Sequence, residues 1–330
     1  MTGEVVGRPL LERVTEFLAE PLVKVDEILV TELESTHPYV TDILAHVSRF
    51  RGKQLRPILL LLSGDACGGI EHDHLILAAV VEMIHTATLV HDDVLDEAAT
   101  RRHVATVNAR WNNETSVLFG DYLFTHAFHL ASSLSSTFAC REIGRATNIV
   151  CEGELTQIRE RGNLELTEEQ YFHIIDAKTA ELCAVSCRLG ARYSGAEQHV
   201  VEALTTYGRN LGMAFQIADD ILDLLGDESE TGKSLGSDLD KQKLTLPLIR
   251  LLETSPPEEA DRFRQLLSHP DGPTHELLEQ LVQQTDAVEY SQACANRLVT
   301  DACAALQCLP DSRARQILID VAEFSVQRNF

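Results

Sequence analysis

Residues 75–96 read LILAAVVEMIHTATLVHDDVLD, and this stretch decides the fold class. It is almost wholly apolar before its acidic end, it lacks the alternation of a strand, and it is several times longer than an ordinary strand. The pattern therefore predicts a buried helix. The last turn of that helix carries Asp92, Asp93 and Asp96.

Helical periodicity covers nearly all of the remaining chain. Further helical segments are predicted over residues 10–34, 56–65, 116–133, 142–159, 167–193 and 200–225. Thr167 is predicted to cap the helix that follows it. Strand alternation is nearly absent, and aromatic residues make up only 5% of the chain, which favours helix packing over sheet packing. We predict an all-α fold with one domain over residues 1–330 and small helices from about residue 255.

The formal net charge of −23 limits the possible partners. Nucleic acid is not expected, because phosphate backbones require clustered lysine and arginine residues. An anionic substrate would need local basic residues or metal ions to overcome the field of the whole chain.

Eight cysteines are scattered without a CxxC pair, so neither a zinc site nor a disulfide framework is predicted. The first nine residues lack the apolar core of a signal peptide, and no later run is long and uncharged enough to span a membrane. We therefore expect a cytoplasmic protein without a membrane span.

A second acidic motif at residues 219–223, DDILD, repeats the pattern of residues 92–96. The first and last aspartates of each motif lie on one helix face, one turn apart, where like charges repel and the helix dipole disfavours anions. A solvated acidic surface is one interpretation. Both motifs, however, follow apolar helical stretches, which favours a metal site at the mouth of an apolar channel. Carboxylate oxygens select Mg²⁺, which completes its shell with water and phosphate oxygens.

Basic residues follow each acidic motif. Arg101 and Arg102 come after the first motif, and Lys233, Lys241 and Lys243 come after the second. Surface ion pairing is one interpretation of this arrangement. The other is a site for a metal ion together with a phosphate group, since the arginine fork matches phosphate oxygens.

Several motifs together resemble those of the trans-type polyprenyl diphosphate synthases, and the resemblance extends over most of the chain. Residues 51–57, RGKQLRP, are similar to the family's GGKxLRP motif, with Arg51 in place of its first glycine. The other matching segments are residues 82–93, Lys178-Thr179, residues 215–220, Gly232-Lys233, residues 236–239 and residues 243–247. Gln242 replaces the glycine usual before the last lysine. Medium- and long-chain members, such as octaprenyl and heptaprenyl diphosphate synthases, are the most similar.

The resemblance implies a single large helical bundle of the isoprenoid synthase type with a central apolar channel. It implies a homodimeric prenyltransferase that condenses an allylic diphosphate, farnesyl or geranyl diphosphate, with successive isopentenyl diphosphate units. About three Mg²⁺ ions per active site are expected.

Residue roles follow from the matching motif positions. The implied metal ligands are Asp92, Asp93, Asp96, Asp219, Asp220 and Asp223. The implied contacts to the allylic diphosphate are Arg101, Lys178, Lys233 and Lys243. The implied isopentenyl diphosphate pocket consists of Lys53, Arg56, His85 and Arg102. The implied catalytic residues are Lys178, Thr179 and Gln216, the last two near the reacting carbons. A lone histidine on an apolar helix is ordinarily a core residue, but the motif position of His85 favours the pocket.

Product length is expected to depend on Ala87 and Thr88, which lie roughly 6–7.5 Å before Asp92 along the helix. Short-chain members of the family commonly place an aromatic residue there. Small residues at both positions imply a medium-to-long product of about thirty to forty carbons. Candidates for a deeper floor, beside ordinary core packing, are Phe119, Phe124 and Phe128.

Four other functions were weighed against this one. A short-chain farnesyl or geranylgeranyl diphosphate synthase shares all of the motifs. A class I terpene cyclase shares the first motif but has no need for the pocket of Lys53, Arg56 and His85. A non-catalytic partner subunit tends to lose the aspartates, and an acidic helical scaffold leaves the paired acidic and basic clusters unexplained.

Overall fold

The computed structural model describes residues 9–50, 52–225, 236–268 and 272–327. Helices dominate these residues, so the prediction of an all-α fold is confirmed. In chain order the α-helices are α1 (Leu10–Phe17), α2 (Ala19–Glu32), α3 (Pro38–Val47), α4 (Leu55–Ala66), α5 (His72–Leu95), α6 (Val107–Arg110), α7 (Asn113–Ser132), α8 (Phe138–Arg159), α9 (Glu168–Ile175), α10 (Glu181–Tyr193), α11 (Gln198–Leu225), α12 (Ser237–Asp240), α13 (Leu246–Thr254), α14 (Pro257–Ser268), α15 (Gly272–Gln283), α16 (Ala287–Ala305) and α17 (Arg313–Val326). Short 3₁₀ turns span Ser48–Phe50 and Leu306–Cys308.

The predicted helix over residues 10–34 is divided at Leu18. Pro21 explains the division, because its ring would collide with the carbonyl of Phe17 in a continuous helix and it has no N–H to donate. Leu18 itself is fully buried between α1 and α2. Pro21 is the local signal for this division, which the amphipathic pattern of residues 10–34 does not show.

The predicted helix over residues 167–193 begins as expected and then changes its winding. Thr167 accepts a hydrogen bond from the Gln170 backbone N–H, and the Gln170 side chain accepts one from the Thr167 backbone N–H. This reciprocal pair confirms the predicted cap. One turn of π-helix, Asp176–Ala180, separates α9 from α10. Such turns occur mostly inside α-helices at functional sites.

A two-stranded hairpin interrupts the helices after α5. Strand β1 (Thr100–Arg101) pairs antiparallel with β2 (Val104–Ala105). Arg102 and His103 form the turn, with φ values of 51° and 62°. Two-residue hairpin turns of type I′ have positive φ at both positions and favour Asn and Gly there. The sequence therefore gave no ordinary turn signal for this hairpin.

The chain divides into two compact units. Unit 1 comprises Met1–Arg145, Leu182–Gly208 and Ala305–Val321, and unit 2 comprises Ala146–Glu181, Arg209–Ala304 and Ala322–Phe330. In unit 1, α5 packs against α2, α4 and α7. In unit 2, α13 packs against α9, α14 and α15.

Within the described ranges, α5 is the one helix long and apolar enough to cross a membrane by length and composition. Two thirds of its most apolar stretch, 67%, is buried inside the protein. The core of unit 1 therefore accounts for the apolar character of this helix.

Candidate active site

The first aspartate motif lies at the C-terminal end of α5. Asp92 and Asp93 belong to the last turn, and Asp96 is the residue directly after the helix. Asp93 is fully buried, whereas Asp92 and Asp96 are partly exposed. Arg101 on β1 donates from Nε and Nη2 to Asp93 Oδ1, at 2.9 and 2.8 Å. The hairpin thus folds Arg101 back onto the middle aspartate of the motif.

Basic groups cluster beside this motif in unit 1. His85 lies two helical turns before Asp92 on α5 and is partly buried. Burial holds the pKa of His85 well below its usual value, and the charges of Arg56, Arg102 and Arg101 lower it further. The structure therefore brings four of the predicted substrate-binding residues together. A neutral imidazole beside three guanidinium groups is a suitable environment for a polyanion.

Gly52 explains how Arg102 is held in this cluster. The Arg102 guanidinium lies over Gly52, where any Cβ would collide with it, and Nη1 donates to the Phe50 carbonyl oxygen. A larger residue at this position of the RGKQLRP motif would therefore displace the Arg102 guanidinium from where it lies here. Gln54 in the same segment adopts a left-handed backbone with φ of 49°, and its side chain donates to Asp26 at 3.0 Å. Lys53 between them is exposed.

Small residues lie beneath the first motif. Ala87 is fully buried in a cluster with Val90, Phe119 and Leu123. Thr88 is partly buried, and its hydroxyl donates to the His85 carbonyl oxygen at 2.8 Å. Of the two predicted chain-length positions, Ala87 thus lies in the apolar core of unit 1, where Phe119 belongs to the same cluster and Phe124 packs against it.

The second aspartate motif lies in the last two turns of α11, in unit 2. Asp220 is buried, and both of its carboxylate oxygens accept hydrogen bonds from uncharged donors. The Tyr171 hydroxyl donates to Oδ2 at 2.6 Å, and Gln216 Nε2 donates to Oδ1 at 2.7 Å. Burial and the nearby charge of Asp238 raise the pKa of Asp220 well above its usual value.

Asp238 is a fourth carboxylate at this motif. Its backbone N–H donates to Asp223 Oδ2 at 2.9 Å, and Gly236 N–H donates to the Asp223 carbonyl oxygen at 2.8 Å. Burial raises the pKa of Asp238 to about 6, and Asp223 contributes most among the nearby charges that raise this pKa. The sequence placed Asp238 inside a family-like motif, but no role was predicted for it.

Lys178 and Thr179 lie on the π-helix of unit 2. Lys178 Nζ donates to Gln157 Oε1 at 2.9 Å and forms an ion pair with Glu154. Two glycines let neighbouring helices approach this turn. A Cβ on Gly153 would lie 2.8 Å from Ala177 Cβ, and one on Gly212 would lie 2.6 Å from Ala180 Cα. The π-helical turn that contains Lys178 and Thr179 is thus packed closely against neighbouring helices at both glycines.

A cavity of about 90 Å³ in unit 2 is lined by several of the predicted site residues. The predicted residues that line it are Lys178, Thr179, Gln216, Asp220 and Lys243. Tyr171, Gln157 and Asp238 line it too, although no role was predicted for them. Lys243 Nζ lies 3.8 Å from Asp238 Oδ1. Lys233, predicted to contact the allylic diphosphate, lies outside the described residues.

The carboxylates of unit 2 suit a divalent cation. The charges of Asp219 and Asp223 raise the pKa of Asp238. The charges of Asp238 and Asp219 likewise raise the pKa of Asp220. Partly desolvated carboxylates at one place repel each other unless a cation balances them. In the part of the chain that the structure describes, no group of three or more histidine, cysteine or acidic side chains is arranged so that it could hold a metal ion by itself. Mg²⁺ typically uses one or two carboxylates together with water and substrate phosphates, which fits this donor set.

Three comparisons place the chain among known proteins. It is similar to octaprenyl diphosphate synthase of Escherichia coli (strain K12), at 35% identity over 97% of this chain and 99% of that protein. Its structure is similar to a decaprenyl diphosphate synthase from Rhodobacter capsulatus, with a TM-score of 0.91 and 36% identity over 96% of this chain and 98% of that one. It is also similar to a polyprenyl synthase from Caulobacter crescentus CB15 complexed with calcium and isoprenyl diphosphate, with a TM-score of 0.92 and 33% identity over 98% and 99% of the two chains.

These neighbours and the helical architecture define an all-α enzyme with the isoprenoid synthase fold. The chain belongs to the polyprenyl synthetase family, whose model matches residues 37–285. It is accordingly a prenyltransferase. The helical isoprenoid synthase fold predicted from the resemblance is confirmed.

Proposed function

We propose that this protein condenses an allylic diphosphate with successive isopentenyl diphosphate units to make an all-trans polyprenyl diphosphate of medium-to-long chain. The observation that carries the proposal is the basic cluster of Arg56, His85 and Arg102 beside the first aspartate motif. In a chain with net charge −23, a local cluster of positive charge is what binding of a diphosphate requires. Several relatives at 35% identity are named for medium- and long-chain products, and one at 32% identity is named as a short-chain isoprenyl diphosphate synthase.

Isopentenyl diphosphate is proposed to bind in unit 1. The planar forks of Arg56 and Arg102 match diphosphate oxygens, and Lys53 adds an exposed ammonium group. His85 has a lowered pKa, so it is neutral at physiological pH and offers one N–H donor without adding charge.

Mg²⁺ is the proposed metal, with about three ions per active site. Asp92 and Asp96 are the proposed ligands in unit 1, because Asp93 is already paired with Arg101. Asp219 and Asp223 are the proposed ligands in unit 2. When held by these carboxylates, Mg²⁺ would neutralise the allylic diphosphate and make it a better leaving group.

The remaining proposed roles belong to side chains that orient the substrates. Lys178, Lys243 and Lys233 contact the allylic diphosphate, and Thr179 and Gln216 lie near the reacting carbons. The allylic C–O bond breaks, the double bond of isopentenyl diphosphate attacks the resulting cation, and the departing diphosphate accepts the proton. Positioning and electrostatic stabilisation supply most of the rate enhancement. The buried apolar residues beneath Asp92 exclude water, which would quench the cation.

The test is a coupled assay of incorporation and product size. The purified chain is incubated with Mg²⁺, farnesyl diphosphate and radiolabelled isopentenyl diphosphate, and the dephosphorylated products are separated by chain length. We expect Mg²⁺-dependent incorporation into products of about thirty to forty carbons. Products that stop at fifteen or twenty carbons would instead favour the short-chain alternative. A cyclic hydrocarbon formed from farnesyl diphosphate alone, without incorporation, would favour a terpene cyclase.

We also propose that the chain forms one domain and works as a homodimer in the cytoplasm. Family resemblance supports this assembly, and Val117 and Leu118 of α7 are exposed apolar residues on which a partner could pack. Light scattering is expected to give twice the chain mass of 36.6 kDa. A mass of one chain at micromolar concentration would contradict the dimer.

A further inference from the structure

We infer that Tyr171 is a positioning residue for catalysis, and that it acts by fixing Asp220 at the end of a hydrogen-bonded chain that leads to Thr179. The inference rests on the proposed function and adds a residue for which neither the sequence motifs nor the proposed mechanism supplied a role.

The chain of hydrogen bonds is continuous. Thr179 Oγ1 donates to Gln216 Oε1 at 2.8 Å, Gln216 Nε2 donates to Asp220 Oδ1 at 2.7 Å, and the Tyr171 hydroxyl donates to Asp220 Oδ2 at 2.6 Å. Each link determines the next, because the Gln216 amide must point its oxygen at Thr179 and its nitrogen at Asp220. Tyr171 closes the chain at its buried end. With Asp220 fixed, the orientations of Gln216 and Thr179 follow.

Helix geometry separates Asp220 from its neighbours in the motif. Asp219 and Asp223 are four residues apart and share one face of α11, whereas Asp220 is rotated by about 100° from Asp219. Asp220 instead shares a face with Gln216, four residues earlier, and this is the face that receives the Tyr171 hydroxyl. Asp220 is therefore assigned to support rather than to metal ligation.

Burial makes the Tyr171 contact important. Tyr171 is 3% exposed and Asp220 is 5% exposed. Water does not readily replace a donor that is lost in such surroundings, so the carboxylate would be left partly unsatisfied. It would then turn towards another donor, and the amide of Gln216 and the hydroxyl of Thr179 would lose their fixed orientation. Both of these side chains line the unit 2 cavity.

The experiment compares Tyr171→Phe with Tyr290→Phe. The Tyr290 hydroxyl also donates to a carboxylate of unit 2, Glu168 Oε2, at 2.7 Å, but Tyr290 does not line the cavity. We expect Tyr171→Phe to lower kcat about thirtyfold, which corresponds to the cost of leaving one buried acceptor without its hydrogen bond. The KM for isopentenyl diphosphate should change less than about twofold in both variants. Tyr290→Phe should keep kcat within about twofold.

A binding readout and a double-mutant cycle exclude a merely structural role. Calorimetry with Mg²⁺ and the unreactive farnesyl S-thiolodiphosphate should show weaker binding to Tyr171→Phe, by about tenfold, and unchanged binding to Tyr290→Phe. If Tyr171 acts through Asp220, Tyr171→Phe should have little further effect in an Asp220→Asn background. Additive losses in the cycle, or equal losses in the two tyrosine variants, would overturn the inference. An inactive wild-type chain would instead refute the proposed function.

Discussion

The first aspartate motif, residues 92–96, and the second, residues 219–223, both lie towards the C-terminal ends of their helices but balance their charge differently. In both, the middle aspartate is buried and accepts a hydrogen bond from a side chain of another element, and Asp220 accepts a second one from Gln216 on its own helix. Asp93 is held by the charged Arg101, whereas Asp220 is held by the uncharged Tyr171 and Gln216. The first motif thus contains its own counter-charge.

Among the described residues, the side chains that donate to Asp220 are uncharged, and the second motif gains a further carboxylate from Asp238, with Lys243 Nζ 3.8 Å from it. Burial and like charge consequently raise the pKa values of Asp220 and Asp238. A bound cation would relieve this repulsion. Two motifs with the same DDxxD sequence pattern can therefore have different electrostatics. Metal binding should stabilise the second motif more than the first.

The largest expected effect comes from the outer aspartates, where the two motifs should behave alike. Asp92→Asn and Asp219→Asn should each lower kcat/KM about a thousandfold, because each removes a charged ligand worth several kcal/mol in the transition state. Asp42→Asn and Asp301→Asn, which neutralise exposed aspartates in the same two units, are the controls and should stay within about twofold. Steady-state incorporation of labelled isopentenyl diphosphate measures all four. Activity above a tenth of wild type in either motif variant would contradict the metal assignment.

The second prediction concerns the residues five positions before each motif, Ala87 and Ala214, both fully buried. Ala87→Phe should shorten the product to about fifteen or twenty carbons, because a ring at that point blocks the apolar cluster around Phe119. Ala214→Phe introduces the same ring in the other unit and should leave product length unchanged. Each substitution should cost about 1–3 kcal/mol of stability through overpacking. Chromatography of the dephosphorylated products measures their chain length. An unchanged length in Ala87→Phe would contradict the role of Ala87 in determining product length.

Most helices were predictable because their signals are local. The apolar run of α5, the cap at Thr167 and the ends of α8 and α11 follow from residues close in sequence. The π-helix and the hairpin were missed because tertiary contacts determine them. Gly153 and Gly212 allow the close packing around the π-helix, and the hairpin turn uses Arg102 and His103 instead of turn-forming residues.

The motifs located the candidate site residues, but not their partners. Arg101 follows Asp93 by only eight residues, so its proximity to the first motif was visible in the sequence. Tyr171 and Asp220 are 49 residues apart, and no local pattern links them. The charge balance of each motif is therefore a property of the fold, although the charges themselves are plain in the sequence.

The third prediction tests the counter-charge of the first motif. Asp93→Asn removes the buried partner of Arg101 and should lower the free energy of unfolding by about 2–3 kcal/mol, less than for a fully buried pair because the Arg101 side chain is 25% exposed. The control is Asp261→Asn, which breaks an ion pair with Arg264 in which the aspartate is 73% exposed. That exposed pair should matter little. Urea unfolding of both variants measures the difference, and equal losses would show that Arg101 is not a structural counter-charge.

The smallest expected effect is a pH dependence confined to the second motif. The pKa of Asp238 is about 6 in the folded protein, above the ordinary 3.8, so folding favours its protonated form. Its contribution to stability is therefore fully present below about pH 4 and is lost as the pH rises through 6. Relative to Asp238→Asn, the wild type should lose about 1–2 kcal/mol of unfolding free energy between pH 4.5 and pH 7.5, allowing for partial solvent exposure.

Urea unfolding at the two pH values measures this loss, and Asp240→Asn, which neutralises an aspartate that is 68% exposed, should follow the wild type. Mg²⁺ with inorganic diphosphate should reduce the difference between wild type and Asp238→Asn at pH 7.5, because a cation favours the ionised carboxylate. Asp93→Asn should not respond to Mg²⁺ in this way, since Arg101 already supplies the positive charge beside Asp93. An equal response in the two motifs would show that their electrostatics do not differ as the hydrogen-bond partners indicate.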